Sequence, residues 1–334
     1  MSKSIKRCFF NALTFDKMLD AHKRASKGKT NKYEVLRFNM DMESNIWNII
    51  NELKNGKYKL GKYKEFVIYE PKERIIKCLP YRDRIVQQWY IYEFIKPYII
   101  PRLINGTCAC IDNRGTHYAV KLVRKYLWKA KHEYGEYYIL KLDIKKYFYN
   151  IDRNILFNIM KEYISDKLLL NLTKIFIYDN NDKIGIPIGN YTSQYFANIY
   201  LDKLDKYIKY EMEIRFYVRY MDDMVIILRN KYECKMVIDK IRSFINSRLH
   251  LELNDKSRYY LGDMGVNFCG YRIYEYFILV RNRCKKTIRK KIKLWNRIGK
   301  VNKLSLNSWL SHVKHANSYR LVNRYIDRIK LVTR

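Results

Sequence analysis

Apolar residues fall at helical spacing over several long stretches of this chain, with short apolar runs between them. Ile46, Ile49, Ile50 and Leu53 share one face of residues 43–54, which Gly56 closes, and predict an amphipathic helix. Residues 16–27 and 116–131 are basic and helical in pattern, and 83–98 carries Ile85, Trp89 and Ile95 as buried candidates. Helices are expected near 152–163 and 166–177, and from about 193 to 212 with Ser193 in its cap region. Val237, Ile241, Phe244 and Ile245 form the apolar face of 231–247, and helical patterning returns at 285–299 and 305–331.

Strands are predicted at Phe66 to Tyr69 and Arg74 to Leu79, a hairpin whose tip Glu70-Pro71-Lys72-Glu73 is charged. Tyr137 to Asp143 is a strand ending in an acid. Tyr217-Val218 and Val225 to Leu228 flank a tight turn at Met221-Asp222-Asp223. Shorter strands are expected at 183–188, 251–253, 266–273 and 277–280, with Asn105 to Gly115 as a loop.

Composition sharpens this picture. A chain of 334 residues buries a sizeable core in two or three lobes, and 12 Gly with 5 Pro leave no linker, so one multi-lobed body is expected. Lys and Arg number 67 against 33 acids, a formal charge of +34, and so one-sided a balance implies a polyanionic partner. With 32 Tyr among the aromatics, stacking side chains interleave with cations, which favours nucleic acid over a membrane. From Arg281 onward there are 17 Lys or Arg and one acid, Asp327, which marks a basic C-terminal segment. Seven scattered Cys without a CxxC pair imply reduced thiols, and a zinc site from Cys108, Cys110, His312 and His315 has poor spacing. No signal peptide or membrane span is visible, so a soluble cytoplasmic protein is expected.

Three stretches carry candidate chemistry. Asp222 and Asp223 sit at a hairpin tip, where turn propensity alone explains an Asp but two rigid carboxylates also suit a divalent cation carrying phosphate. Asp143 ends a strand and is followed by Ile144-Lys145-Lys146-Tyr147-Phe148, so a side-chain and a backbone oxygen can serve one ion, with an aromatic placed under a sugar. Three such acids repel one another unless cations lie between them. The third stretch is Gly185-Ile186-Pro187-Ile188-Gly189-Asn190-Tyr191-Thr192-Ser193-Gln194, a bend before a helix N-terminus where backbone approaches a ligand.

In this order the stretches resemble the A, B and C motifs of reverse transcriptases: Leu142 to Phe148, Ile186 to Gln194, and Tyr220-Met221-Asp222-Asp223. Pro71-Lys72-Glu73-Arg74 and Leu79 to Arg84 resemble the fingers block of retron and group II intron enzymes, and Phe268-Cys269-Gly270-Tyr271 their primer-gripping hairpin. The resemblance implies an α+β right-hand polymerase fold: N-terminal extension and fingers in 1–137, a palm with an antiparallel sheet in 138–280 (with fingers helices at about 150–182), and a basic helical thumb in 281–334. It implies two Mg²⁺ ions, with Mn²⁺ as a substitute, held by Asp143, the Ile144 carbonyl and Asp222, with Asp223 in a less direct role. It further implies a nucleotide site of Lys72, Arg74, Lys145, Lys146, Tyr147, Phe148, Ile188 and Gly189, in which Phe148 excludes a ribose 2′-hydroxyl. Tyr220, Met221, Cys269, Gly270, Tyr271, Ser193 and Gln194 fall where primer and template are held, and Lys256 is the candidate proton donor to pyrophosphate.

Ile188 and Gln194 replace the usual bacterial pattern of Gln before the Gly and Ser-Pro after it. The phrases Ile186 to Asn190, Thr192-Ser193-Gln194, Asn113-Arg114-Gly115-Thr116-His117 and Ser308 to Ser318 are similar to those of diversity-generating retroelement enzymes. Such enzymes copy a template RNA into adenine-mutated cDNA, form an RNA–cDNA duplex from deoxynucleoside triphosphates, work with a small basic oligomeric accessory protein, and end after the thumb. Ile188 offers shape where Gln offers hydrogen bonds, which implies low fidelity. The rivals are a retron or anti-phage defence enzyme, a catalytically silent RNA-binding scaffold, and an RNA-copying RNA polymerase disfavoured by Phe148.

Overall fold

The computed structural model describes residues 4–69, 73–179 and 182–329. They form two compact units, each built from three chain segments. The first takes residues up to 105 with 144–207 and 242–252, and the second takes 106–143, 208–241 and 253 onward.

The first unit is mostly helical. Phe15–Ser26, Met42–Lys54 and Tyr81–Tyr90 pack round Met18, Ile46, Ile49, Ile85 and Trp89, each almost fully buried. The Tyr81–Tyr90 helix runs on through a π turn, Ile91–Ile95, as the pattern over 83–98 implies. Arg153–Tyr163 and Lys167–Ile177 each begin at an aspartate, Asp152 and Asp166, whose side chain accepts two backbone N–H groups of the first turn. β1 (Lys64–Ile68) and β2 (Arg74–Cys78) form an antiparallel ribbon with Phe66 opposite Ile76. Every residue of β1 is exposed, so this ribbon adds nothing to the core.

The second unit is built on an antiparallel sheet of β3 (Tyr138–Asp143), β4 (Tyr217–Tyr220), β5 (Asp223–Leu228) and β6 (Arg258–Leu261), in the order β4-β5-β3-β6. One face is covered by the Thr116–Tyr134 helix, whose Ala119, Val123, Leu127 and Ala130 lie on Ile139, Val218, Val225 and Ile227. The same core takes in Phe268, Tyr271 and Ile273 from a second sheet of β7 (Val266–Phe268), β8 (Tyr271–Ile273) and β9 (Ile278–Val280). Helices Asn282–Ile298, Lys303–Val313 and Tyr319–Ile326 enclose a separate core of Ile288, Ile292, Trp295, Trp309, Val313 and Tyr325.

Five expected elements differ, the first being the strand over 266–273, which is two strands, β7 and β8, folded back at Cys269 and Gly270. Residues 183–188 form no strand, only a bridge between Ile184 and Asp152, because Arg153 Nε takes the Gly185 carbonyl at 2.6 Å. The strand expected at 251–253 is displaced to β6, since Asn254 and Ser257 turn the chain back onto Asp143 first. The helix expected from Ser193 starts at Tyr191, with Asn190 as its N-cap and Ser193 buried within it. The helix expected over 305–331 breaks after Val313, where Asn317 exchanges two hydrogen bonds with Ile278 of β9 at 2.8 and 2.9 Å.

Candidate active site

The carboxylates meet because of strand register. β3 and β5 pair so that Asp143 stands directly opposite Asp223, and β4 and β5 pair so that Tyr220 faces Asp223. Opposed residues on one face bring their Cβ atoms to about 5 Å. Met221 and Asp222 are then the whole of a two-residue hairpin loop. Such loops need a positive φ at the first position, and Met221 supplies it with φ 56°, a conformation that costs a non-glycine residue about 1–2 kcal/mol. Arg219, fully buried, helps to hold it by donating from Nη1 to the Met221 carbonyl at 3.0 Å.

Asp143 is fixed from the other side by the turn that leads to β6. Asn254 Nδ2 donates to Asp143 Oδ2 at 3.0 Å, and the Asn254 N–H donates to the Asp143 carbonyl at 2.8 Å. The Asp143 N–H donates to Ser257 Oγ at 3.2 Å. Lys256 stands exposed on this turn, its N–H given to Asn254 Oδ1 at 3.1 Å.

One central residue is not evident from sequence. Lys141 lies two positions before Asp143 on the same face of β3, and its ammonium is ion-paired with Asp223. It also lies 4.8 Å from the centre of the Phe268 ring. Burial pushes the Lys141 ammonium down to about 7, against the opposing pull of Cys269, Asp143 and Asp222. A lysine inside alternating strand residues is normally solvated. What buries this one is β7, more than a hundred positions later, and period-2 alternation from Asp143 is the signal that finds it.

The β7–β8 hairpin turns on Cys269 and Gly270, both left-handed with φ 47° and 89°, the pair of values a type I′ turn demands. Behind them the Tyr271 hydroxyl donates to the His312 carbonyl at 2.8 Å, and the two rings stack with centroids 4.5 Å apart. Tyr220, Met221, Cys269, Gly270 and Tyr271 therefore all belong to hairpin ends of the second unit.

The remaining described candidates lie in the first unit. Lys145 is exposed and ion-paired with Glu252 at 3.2 Å, and Lys146 takes a left-handed conformation, φ 46°, that starts the short helix Tyr147–Asn150. Tyr147 is buried, its hydroxyl donating to the Ala197 carbonyl at 2.5 Å. Phe148 is half-buried, and its carbonyl accepts the Ile186 N–H at 2.9 Å, which joins the A-like and B-like stretches. The Ile188 carbonyl accepts from the Lys77 N–H at 2.8 Å, so the bend rests on β2. Gly189 is required by that contact: at φ 125° an added Cβ would stand 2.4 Å from the Lys77 carbonyl oxygen. Ser193 faces the core, Gln194 is exposed, and Arg74 opens β2 opposite Ile68. Lys72 lies outside the described residues.

Comparison with known proteins bears on the family and the fold. The sequence profile described as reverse transcriptase (RNA-dependent DNA polymerase) matches residues 62–273, well over half of the chain. The chain belongs to the reverse transcriptase family. It is 26% identical to the COX1/OXI3 intron 2 protein of Saccharomyces cerevisiae, over 41% of this chain and 24% of that protein. Among solved structures, that of apo telomerase from Candida tropicalis aligns with a TM-score of 0.50 and 15% identity over 70% of this chain and 51% of the other, a likeness of fold. The chain thus spans about a quarter of the length of the curated relative and about half of the solved one. With its mixed helices and antiparallel sheets, the molecule has the polymerase fold. Among the described residues no helix is long and apolar enough to cross a membrane.

Proposed function

We propose that this chain is an RNA-directed DNA polymerase whose reaction runs at Asp143 and Asp222. The observation that carries the reading is the β3–β5 register, which sets Asp143 against Asp223 with Asp222 beside it in a two-residue loop. The oxygens of these carboxylates and of the Ile144 carbonyl are hard donors of the kind Mg²⁺ takes. Among the described residues no three His, Cys, Asp or Glu side chains are already gathered as ligands; instead the Lys141 ammonium neutralises the acids. When bound, two such ions would supply charge stabilisation to the attacking and leaving oxygens of an in-line displacement.

The chain's own residues do the rest. In the reaction, the primer 3′-hydroxyl gives its proton to solvent as its oxygen bonds to the α-phosphorus of a deoxynucleotide, and the bond from that phosphorus to the oxygen bridging to the β-phosphate breaks, releasing pyrophosphate. Asn254 and Ser257 keep Asp143 oriented, and Lys256, exposed on the same turn, is the proton donor to the leaving group. Phe148 and the bend at Ile188-Gly189 shape the sugar and base site, with Arg74 and Lys72 on the triphosphate. Tyr220, Met221 and the Cys269-Gly270 turn bear on the primer end, and the basic helices from Asn282 onward act as the thumb. Fingers, palm and thumb correspond in this reading to 1–137, 138–280 and 281–334.

The finer reading is a mutagenic diversity-generating retroelement enzyme with a basic oligomeric accessory partner, supported by the Ile186 to Gln194 and Ser308 to Ser318 phrases. Extension of a DNA primer on an RNA template, with Mg²⁺ or Mn²⁺ and followed by sequencing, tests both levels. Deoxynucleotide incorporation with errors concentrated opposite template adenines is the expected outcome. Accurate copying would remove the retroelement reading, and no incorporation would remove the polymerase itself. Ile188→Gln is expected to lower the error rate several-fold, and an unchanged rate would show that Ile188 is only packing.

A further inference from the structure

We propose that the outer face of the Thr116–Tyr134 helix and the turn at Lys314 to Asn317 hold a segment of single-stranded RNA outside the polymerisation site. Within the second unit these elements line a cleft of about 740 Å³, inside the ~300–1,000 Å³ range of ligand-sized clefts. The helix spends its inner stripe on the sheet, and the stripe that remains carries Lys121, Arg124 and Lys125. Lys314 lines the cleft from the turn. Among the described residues none of these four cations has an ion-pair partner. Among the described residues Glu275 is the one carboxylate lining the cleft, and it is only 9% exposed and already accepts the Tyr137 hydroxyl at 2.5 Å. The cleft is therefore cationic without internal relief.

Aromatic rings stand at both ends of this charge. His117 and His315 stack with centroids 3.5 Å apart, and Trp128, 44% exposed, lies against His132 at 4.0 Å. His117 and Trp128 are separated by about 16 Å of helix at 1.5 Å per residue, room for a few nucleotides. Cations on the phosphates and rings for the bases are the sequence-tolerant means of holding a single strand. The His117 pKa is lowered, first by burial and then by the neighbouring His315, His312, Lys121 and Lys314. The His117 ring also lies 6.2 Å from that of Tyr271 at the β7–β8 hairpin. A strand in this cleft is thus continuous with the place assigned to primer and template, and it is taken as RNA because the template proposed above is RNA.

A fluorescent 12-nucleotide single-stranded RNA, titrated over a salt series without deoxynucleotides, reads this surface independently of synthesis. In a variant combining Lys121→Ala, Arg124→Ala and Lys125→Ala, affinity is expected to fall at least tenfold. The slope of log K against log salt should flatten by about 2, three contacts at ~0.7 each. Addition of one nucleotide to a short primer–template whose template extends a single nucleotide past the primer should stay at the wild-type rate, which also shows that the variant is folded. Trp128→Ala should weaken binding several-fold with the slope unchanged. Wild-type affinity and slope in the triple variant would overturn the proposal, as would a loss confined to single-stranded DNA of the same sequence. A chain that binds RNA through this cleft but makes no DNA would instead count against the polymerase reading alone.

Discussion

At the scale of single residues the site depends on one cation that sequence patterning conceals. Asp143 and Asp222 are visible because acids at strand ends and hairpin tips stand out, whereas Lys141 is one lysine among many until β7 covers it. Its ammonium beside Asp223 occupies the electrostatic role that divalent ions would share. Replacing it removes the ion pair of Asp223, a cost of about 1–3 kcal/mol for a partly buried pair, between the values for exposed and for fully buried ones. Lys141→Met should therefore melt several degrees lower than the wild type in EDTA, and added Mg²⁺ should recover most of the difference. Equal melting in EDTA would show that Lys141 does not neutralise the acids. Phe148 belongs to the same scale: Phe148→Ala should accept ribonucleotides at rates within about tenfold of deoxynucleotides. Continued refusal by an active variant would place the sugar gate elsewhere. Met221, which the resemblance places only near the primer end, carries the positive φ of the hairpin loop.

At the scale of elements, long periodic helices and the two hairpins were legible, and the pieces decided by distant contacts were not. The Met42–Lys54 and Lys231–Leu249 helices follow from their apolar spacing alone. Residues 183–188 have strand-like composition, but Arg153 and the Lys77 N–H claim their carbonyls, and neither is near in sequence. The break after Val313 likewise depends on Asn317 meeting Ile278. Gly189 shows why a motif glycine needs a structure to be explained. The close approach it permits is to the β2 backbone, so its loss is first a folding defect. Gly189→Ala should cost at least about 3 kcal/mol in urea unfolding, from backbone strain of ~1–3 kcal/mol plus the displaced β2 carbonyl. Gly28→Ala, at φ 71° with open space around it, should cost only about 1 kcal/mol. Equal costs would show that the contact with Lys77 is not what selects glycine.

At the scale of the molecule, a charge of +34 on 334 residues spreads attraction for polyanions over the whole surface, which composition alone implies. Composition does not announce the partition into two units that each draw on three separate chain segments, because strand pairing and helix packing between distant segments decide it. The chemistry proposed at Asp143 and Asp222 is separable from this charge. Single-nucleotide addition on an RNA-templated DNA primer, measured for wild type, Asp143→Asn and Asp222→Asn under saturating deoxynucleotide, isolates the carboxylates from template binding. Each variant should lose at least about a thousandfold in rate, ~4 kcal/mol of barrier, while binding template–primer as tightly as the wild type. Addition within tenfold of the wild-type rate by either variant would contradict the assignment of Asp143 and Asp222 as the catalytic pair.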